Sequence, residues 1–359
     1  MRIAQIAPLS EAVPPKLYGG TERIVSYLTE ELVALGHEVT LFASGDSVTN
    51  AELVSVWPRA LRLDTSVRDT NALQTLLLER VRQRADEFDV LHFHLDYMPF
   101  PIFGQQHVPF LTTMHGRLDL PELQPVFDAF PNAGVVSISD QQRGPLLQAN
   151  WLATIQHGLP AGLLRPTGQT PDYLAFLGRI CPEKRPDRAI RIARACGLPI
   201  RLAAKVDRVD QEYYECEIAP MLDGDQAHLI GEINDGAKSA FLSGARALLL
   251  PIDWPEPFGL VMIEAMACGT PVIAFNRGSV PEVIEDGLTG FIVENEAEAV
   301  AAVARLPELD RGAIRARFEQ RFSARRMAED YLEIYRELGR VGSPRIPIAR
   351  HAVEALSVA

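Results

Sequence analysis

Two acids, Glu256 and Glu264, stand with seven residues between them in EPFGLVMIEAMACGTPVIA, where nearly everything else is apolar or small. A carboxylate is costly to bury unless something pairs with it, so the two acids point to a site. Pro255 and Pro257 flank Glu256 and hold it in a loop, because proline is excluded from helix interiors. A helix then starts near Phe258–Gly259, which puts Glu264 in its second turn on the face of Leu260. Gly259 lets another group approach the backbone, and the first, unpaired helical N–H groups favour an anion. From Glu256 to Glu264 the rise is at most ~12 Å at about 1.5 Å per residue, the span of a sugar–diphosphate–ribose unit. Carboxylates accept hydrogen bonds from paired sugar hydroxyls. The plain alternative is a capped helix with one surface acid and one acid bonded to backbone.

A second group lies in FLGRICPEKRPD, Phe176–Asp187. Arg179 ends a strand and Lys184 follows five residues later, so both reach a diphosphate from the strand's C-terminal end. Two fixed cations there do the work that a divalent metal does elsewhere. Arg185 and Arg188 read as solvent-exposed charges at a helix start. Earlier in the chain, LYGGTER puts Gly19 and Gly20 in a turn whose amides can face phosphate, although the spacing is not GxGxxG. LTTMHG places His115 at another strand end, as a catalyst or as a satisfied polar residue. Asp223-Gly224-Asp225 has the look of a metal-binding pair but reads as a turn, since Asp and Gly favour turns.

These residues need a scaffold. The chain has 359 residues, 47% apolar and 23% charged, which fits a globular protein of two domains. Short Val/Ile/Leu-rich runs alternate with helical stretches: RIAQIAP, then TERIVSYLTEELVALG, then HEVTLFAS, with FDVLHFHL, VPFLTTMHG, GVVSISD and ATIQHG continuing the series. That alternation predicts a parallel sheet with crossover helices. GLPAGLLRPTGQTPDY breaks the rhythm, and YLAFLGR, PIRLAAKV, AHLIG, ALLLPI, PVIAFN and GFIVEN restart it. The fold expected is α/β: two doubly wound, Rossmann-like lobes facing a central cleft, with ligands beyond the strand C-termini. Residues 1–160 form the first lobe, 161–340 the second with its terminal helix, and 341–359 an irregular tail. In that terminal helix Met327, Tyr331, Ile334 and Leu338 share a stripe. The net charge of −12 argues against a nucleic-acid binder. The widely spaced Cys181, Cys196, Cys216 and Cys268 read as reduced thiols. No apolar run or leader indicates a membrane span or export, so a cytoplasmic protein is expected, with weak peripheral membrane contact left open.

This combination resembles the glycosyltransferases of the GT-B fold, family GT4 in particular, over nearly the whole chain. The most specific part is EPFG with EAMACGTPV and GSVPEVIEDGLTGFIV; the GG turn, the histidine, and LGR followed by EK match in order. The resemblance implies that Glu264 holds ribose hydroxyls, Glu256 the donor hexose, and Arg179 and Lys184 the diphosphate. Gly19 and Gly20 let that diphosphate approach, Phe258, Gly259 and Leu260 complete the phosphate site, and Gly231 and Ile233 of LIGEI meet the base. His115 sits near the reacting carbon. Tyr18, His94, Tyr97 and Arg117, in the loops EAVPPKLYGG, HFHLDYMPFP and GRLDLPEL, shape the acceptor pocket. Two departures from the family pattern are Gly278-Ser279 in place of a Gly-Gly pair and His157-Gly158 in place of Asn-Gly.

The function expected is a retaining hexosyltransferase, independent of metal and cofactor. It moves a glucose-type hexose from a UDP-linked donor to a small-molecule, lipid or glycan acceptor, for which a reduced pterin is one candidate. The resemblance implies that the leaving phosphate helps deprotonate the acceptor on the face it departs from. Two rivals share the two-lobed form: a non-hydrolysing nucleotide-sugar epimerase, against which EPFG speaks, and a sugar-binding protein, which would carry an export signal.

Overall fold

The computed structural model describes residues 1–16 and 19–340; Tyr18, expected at the acceptor, and the tail 341–359 lie outside the described residues. The first lobe is one parallel sheet of seven strands: β1 (Arg2–Ile6), β2 (Glu38–Ala43), β3 (Glu52–Ser55), β4 (Val90–Phe93), β5 (Phe110–Thr113), β6 (Gly134–Ser137) and β7 (Asn150–Thr154). Their order is β3-β2-β1-β4-β5-β6-β7. The second lobe has six: β8 (Tyr173–Ile180), β9 (Ile200–Val206), β10 (Ala227–Gly231), β11 (Ala245–Leu250), β12 (Val272–Phe275) and β13 (Gly290–Val293), in the order β10-β9-β8-β11-β12-β13. In each lobe the order reverses beside the first strand, between β1 and β4 and between β8 and β11. The crevice above such a reversal is where this architecture binds ligands.

The central strands are buried on both faces, as parallel sheets covered by helices must be: Ile3, Ala4 and Ile6 in β1 and Leu248, Leu249 and Leu250 in β11 are 0–2% exposed. All six strands expected in the second lobe form. In the first, β3 adds a strand to the expected series; its burial is only partial, so its apolar signal is weak. ATIQHG is corrected: β7 ends at Thr154, and Gln156–Gly158 already belong to the passage between lobes.

The chain crosses between lobes twice. It leaves the first lobe through His157-Gly158-Leu159. It returns through Phe322-Ser323-Ala324 into the terminal helix, Ala324–Arg340, which packs on the Gly20–Ala34 helix and β4 of the first lobe. The crossings touch: Leu159 N–H donates to the Phe322 carbonyl at 2.9 Å, and Ala324 N–H to that of Leu159 at 2.8 Å. No helix among the described residues is long and apolar enough to cross a membrane.

Candidate active site

The segment around the two glutamates folds as its glycine and prolines require. Gly259 takes a left-handed backbone, φ 77°, and caps the helix Leu260–Ala267. The loop before it is pinned by Gly278, at φ 54°: a Cβ there would lie 2.4 Å from the Glu256 amide nitrogen and carbonyl oxygen. Ser279 N–H donates to the Glu256 carbonyl at 2.9 Å, and its Oγ to that of Phe258 at 2.9 Å. The serine hydroxyl and amide thus both anchor the loop.

Both glutamates are buried, 9% and 3% exposed, and each meets a cation. Glu256 pairs with Lys184 and accepts from Trp254 Nε1 at 2.9 Å, while Lys184 Nζ lies 5.1 Å from the centre of the Trp254 ring. Glu264 accepts from Lys238 Nζ at 2.6 Å. Lys238 also lies 3.2 Å from Asp235, whose other oxygen pairs with Arg23 on the first helix of the opposite lobe. Neither acid is the surface carboxylate of the plain alternative, because a charge so enclosed requires its partner. The expected Gly19-Gly20 turn is corrected: Gly19 caps the helix that Gly20 opens, and this helix start meets the other, where a Cβ on Gly20 would lie 3.7 Å from Leu260 Cδ1.

At the end of β8, Arg179 lies 3.7 Å from Asp207 and 3.5 Å from Asp210. Arg185 and Arg188 are corrected: they are not free surface charges. Arg185, in a left-handed backbone at φ 52°, binds Asp187 at 2.8 Å, and both arginines reach Asp253 at 3.0–3.2 Å. The reason is spatial, since the loop after β11 brings Asp253 across to them. Gly231 ends β10 with φ 79°, and Ile233 follows in its loop. The Phe258 ring is buried against His157, 4.9 Å between centroids. Asp223 behaves as a turn residue: one oxygen accepts from the amides of Asp225, Gln226 and Ala227 at 2.8–3.1 Å.

In the first lobe His115 Nε2 meets His94 Nδ1 at 2.8 Å, and the His115 ring stacks on His157, 5.3 Å apart and 18° from parallel. Burial pushes His115 down to about 3 and His94 and His157 well below the usual range, so these imidazoles are neutral at physiological pH. His94 lies behind His115 with both ring nitrogens engaged, the second on Gln5 Oε1 at 2.9 Å. Tyr97 is 41% exposed on the adjoining loop. Next to it Asp96 has φ 50°, a strained conformation for a side-chain-bearing residue, held by Thr112 Oγ1 donating to its carbonyl at 3.0 Å. Arg117, paired with Asp119 at 2.7 Å, lines a cavity shared with Gln141, Pro257, Gly278 and Glu256. The cavity therefore joins residues of both lobes. Beside it Ser139 Oγ donates to the Pro257 carbonyl at 2.6 Å, and Glu282 accepts from the amides of Asp140 and Gln141 at 2.8 Å.

A family model described as Glycosyl transferases group 1 matches residues 165–323, and one described as Glycosyltransferase Family 4 matches residues 18–153. A phosphatidyl-myo-inositol mannosyltransferase of Mycobacterium leprae is 27% identical over 350 residues, 89% of this chain and 90% of that protein. A D-inositol 3-phosphate glycosyltransferase of Saccharomonospora viridis is 35% identical over 184 residues, 46% of this chain and 42% of that protein. Among solved structures, Anabaena HepE in complex with UDP and glucose superposes with a TM-score of 0.71 at 18% identity, covering 93% of this chain and 99% of that one. At that identity the likeness is one of fold.

Proposed function

Because the chain is a glycosyltransferase of the GT-B fold, family GT4, we propose that it carries a glucose-type hexose from a UDP-linked donor, bound by the second lobe, to a hydroxyl of a small acceptor held by the first, with retention of configuration and without a metal. One observation carries the reading. Two buried, cation-paired glutamates bracket a helix start that opens on a left-handed glycine, opposite the helix start at Gly20 of the other lobe. Ribose at Glu264, diphosphate over the Gly259–Leu260 amides and hexose at Glu256 fill that bracket in order.

The chemistry follows from the charges. The bond from the sugar carbon to the β-phosphate oxygen breaks, and negative charge grows on the departing diphosphate. Arg179, Lys184 and the helix N-terminus stabilise it there. The acceptor oxygen bonds to the carbon on the face just vacated, and its proton passes to a phosphate oxygen, so a glycoside and a nucleoside diphosphate result. Lys184 serves both sides, because it already neutralises Glu256. His115, neutral, presents a dipole to the oxocarbenium-like sugar and does not act as a proton source. Asp223 offers little to a metal, since one of its oxygens is already shared among three amides.

For the acceptor, the names of the two relatives favour a polyhydroxylated ring bearing phosphate, and Arg117 at the shared cavity suits an anionic substituent. The test is a matrix of UDP- and GDP-hexoses against inositol 3-phosphate, a phosphoinositide and a reduced pterin. The readouts are nucleoside diphosphate release and the anomeric coupling constant of the product. Transfer from UDP-glucose with retention, undiminished by excess EDTA, is expected. Interconversion of donor sugars without transfer, an inverted product, or rates restored by magnesium after chelation would overturn the corresponding part.

A further inference from the structure

Behind His115 runs a buried file of polar side chains that the donor site does not use. His94 bridges His115 and Gln5, as above. Gln5, on β1 and directly in register with His92 on β4, donates from its amide nitrogen to the Tyr335 hydroxyl at 3.0 Å and faces His92 Nδ1 at 3.3 Å. Tyr335 Oη meets His92 Nδ1 at 2.6 Å, His92 Nε2 meets Thr113 Oγ1 at 2.7 Å, and Thr113 Oγ1 meets Tyr331 Oη at 2.8 Å. Gln5, His92 and Thr113 are 0% exposed, and Tyr331 and Tyr335 at most 1%. The tyrosines, four apart on the terminal helix, share the face turned to the first lobe, with ring centres 4.8 and 5.7 Å from that of His92.

Six polar side chains without solvent are expensive unless every contact joins a donor to an acceptor. The Gln5 amide gives the file a direction. Its nitrogen, with two hydrogens, donates to Tyr335 and lies beside His92 Nδ1. Its oxygen faces His94 Nε2 and, having no hydrogen, accepts from it. A neutral imidazole carries one N–H, so His94 Nδ1 is an acceptor and the hydrogen between His94 and His115 belongs to His115 Nε2. His115 Nδ1 then bears the lone pair, and among the described residues it has no hydrogen-bond partner. Burial keeps His92 and His94 far below the usual range, so no added proton disturbs this order.

We propose that Gln5, His94, His92 and Tyr335 are positioning residues for His115. Their hydrogen-bonded file, anchored on the terminal helix, holds the His115 ring with Nε2–H turned inward and the Nδ1 lone pair presented to the cleft. The negative end of the ring dipole then faces the sugar, where it accepts from a hydroxyl and favours the positive charge that develops as the diphosphate leaves. This rests on the role given to His115 above. It adds that a helix entering from the second lobe sets the tautomer of a first-lobe group.

Nitrogen NMR of protein labelled at histidine reads the tautomer directly, with the His115 signals assigned by their loss in His115→Ala. The unmodified protein should show a protonated Nε2 and an unprotonated Nδ1; the opposite tautomer overturns the proposal. Gln5→Leu and, as a near-isosteric second variant, Tyr335→Phe should mix the tautomers. Each should lower kcat at least about fivefold, the rate equivalent of one neutral hydrogen bond, with the donor KM unchanged. Calorimetric binding of the nucleoside diphosphate confirms that both remain folded. In a His115→Ala background Gln5→Leu should cost nothing further, whereas an equal loss in both backgrounds would mark a merely structural role and overturn the proposal. A wild-type rate for His115→Ala removes the role of His115 and the functional half of this inference with it. A slow His115→Ala beside an unaffected Gln5→Leu overturns the relay alone.

Discussion

Lys238→Met is the most informative single perturbation of the cluster around Glu264. Lys238 Nζ sits 2.6 Å from Glu264 and 3.2 Å from Asp235, and the side chains of Lys238 and Glu264 are 10% and 5% exposed. Removing the ammonium strips Glu264 of its cation while leaving it enclosed; Asp235 keeps Arg23. Breaking a buried pair from one side costs about 3–5 kcal/mol, most of it the uncompensated charge that remains. For a unit of this size about 2–4 °C of melting temperature accompanies each kcal/mol, so Lys238→Met should melt roughly 6–20 °C below the unmodified protein. The double variant Lys238→Met/Glu264→Gln replaces the stranded charge by a neutral amide and should recover much of that loss. Differential scanning calorimetry of the three proteins at one concentration, without nucleotide, measures both effects. A single variant within 2 °C of the unmodified protein, or a double variant no better than the single, would refute the claim that Glu264 is held as a buried ion.

Glu264→Gln by itself keeps Lys238 beside Asp235 and should fold, while binding of the nucleoside diphosphate weakens by roughly 1.5–3 kcal/mol, about ten- to 150-fold; unchanged affinity by calorimetry removes Glu264 from the site. On the proposed mechanism Arg179→Ala and Lys184→Ala should lose turnover as well as affinity, because the charge assigned to them grows in the transition state; full turnover at saturating donor would reduce them to uniform binding. Burial raises the Asp187 carboxyl, but hydrogen bonds from Arg185 and Tyr213 and the charges of Arg185 and Arg191 outweigh it and hold it at about 2. Its folded value lies below its unfolded one, so its stabilisation of about 2 kcal/mol is complete above the unfolded pKa and fades as pH falls toward 2. In urea, Asp187→Asn should trail the unmodified protein by that amount at neutral pH and by roughly half or less at about pH 3; a gap that does not shrink would contradict the assignment.

The residues legible in the sequence are those whose chemistry is local. Glu256, Gly259 and Glu264 share one loop and one helix, and Arg179 and Lys184 one strand end, so spacing places them. The fold was legible for a related reason: buried parallel strands declare themselves as apolar runs. What the sequence did not show is who faces whom. Lys238 is 26 positions from Glu264, Asp253 is 65 from Arg188, and Tyr335 is 243 from His92. The first two pairs exist only once the second lobe has folded, and Tyr335–His92 only once the terminal helix has crossed to the first. Polar residues in apolar strands, Gln5 and His92 with Thr113, carried a signal that could have been used, since a buried strand tolerates them only with partners. The stripe of the terminal helix was visible, but not that it would settle on the opposite lobe.

The two passages of the chain between lobes lie side by side, Leu159 paired in parallel with Ser323, and a Cβ on Gly158 would fall 2.2 Å from the Ser323 carbonyl oxygen. Mechanically, this is a two-ply strap. A single thread lets a domain tilt and spin freely, whereas two threads laced edge to edge resist torsion and shear and flex across their flat side alone. Laced in this way, the two passages should oppose twist of one lobe against the other and leave bending across the strap's flat side as the softer motion.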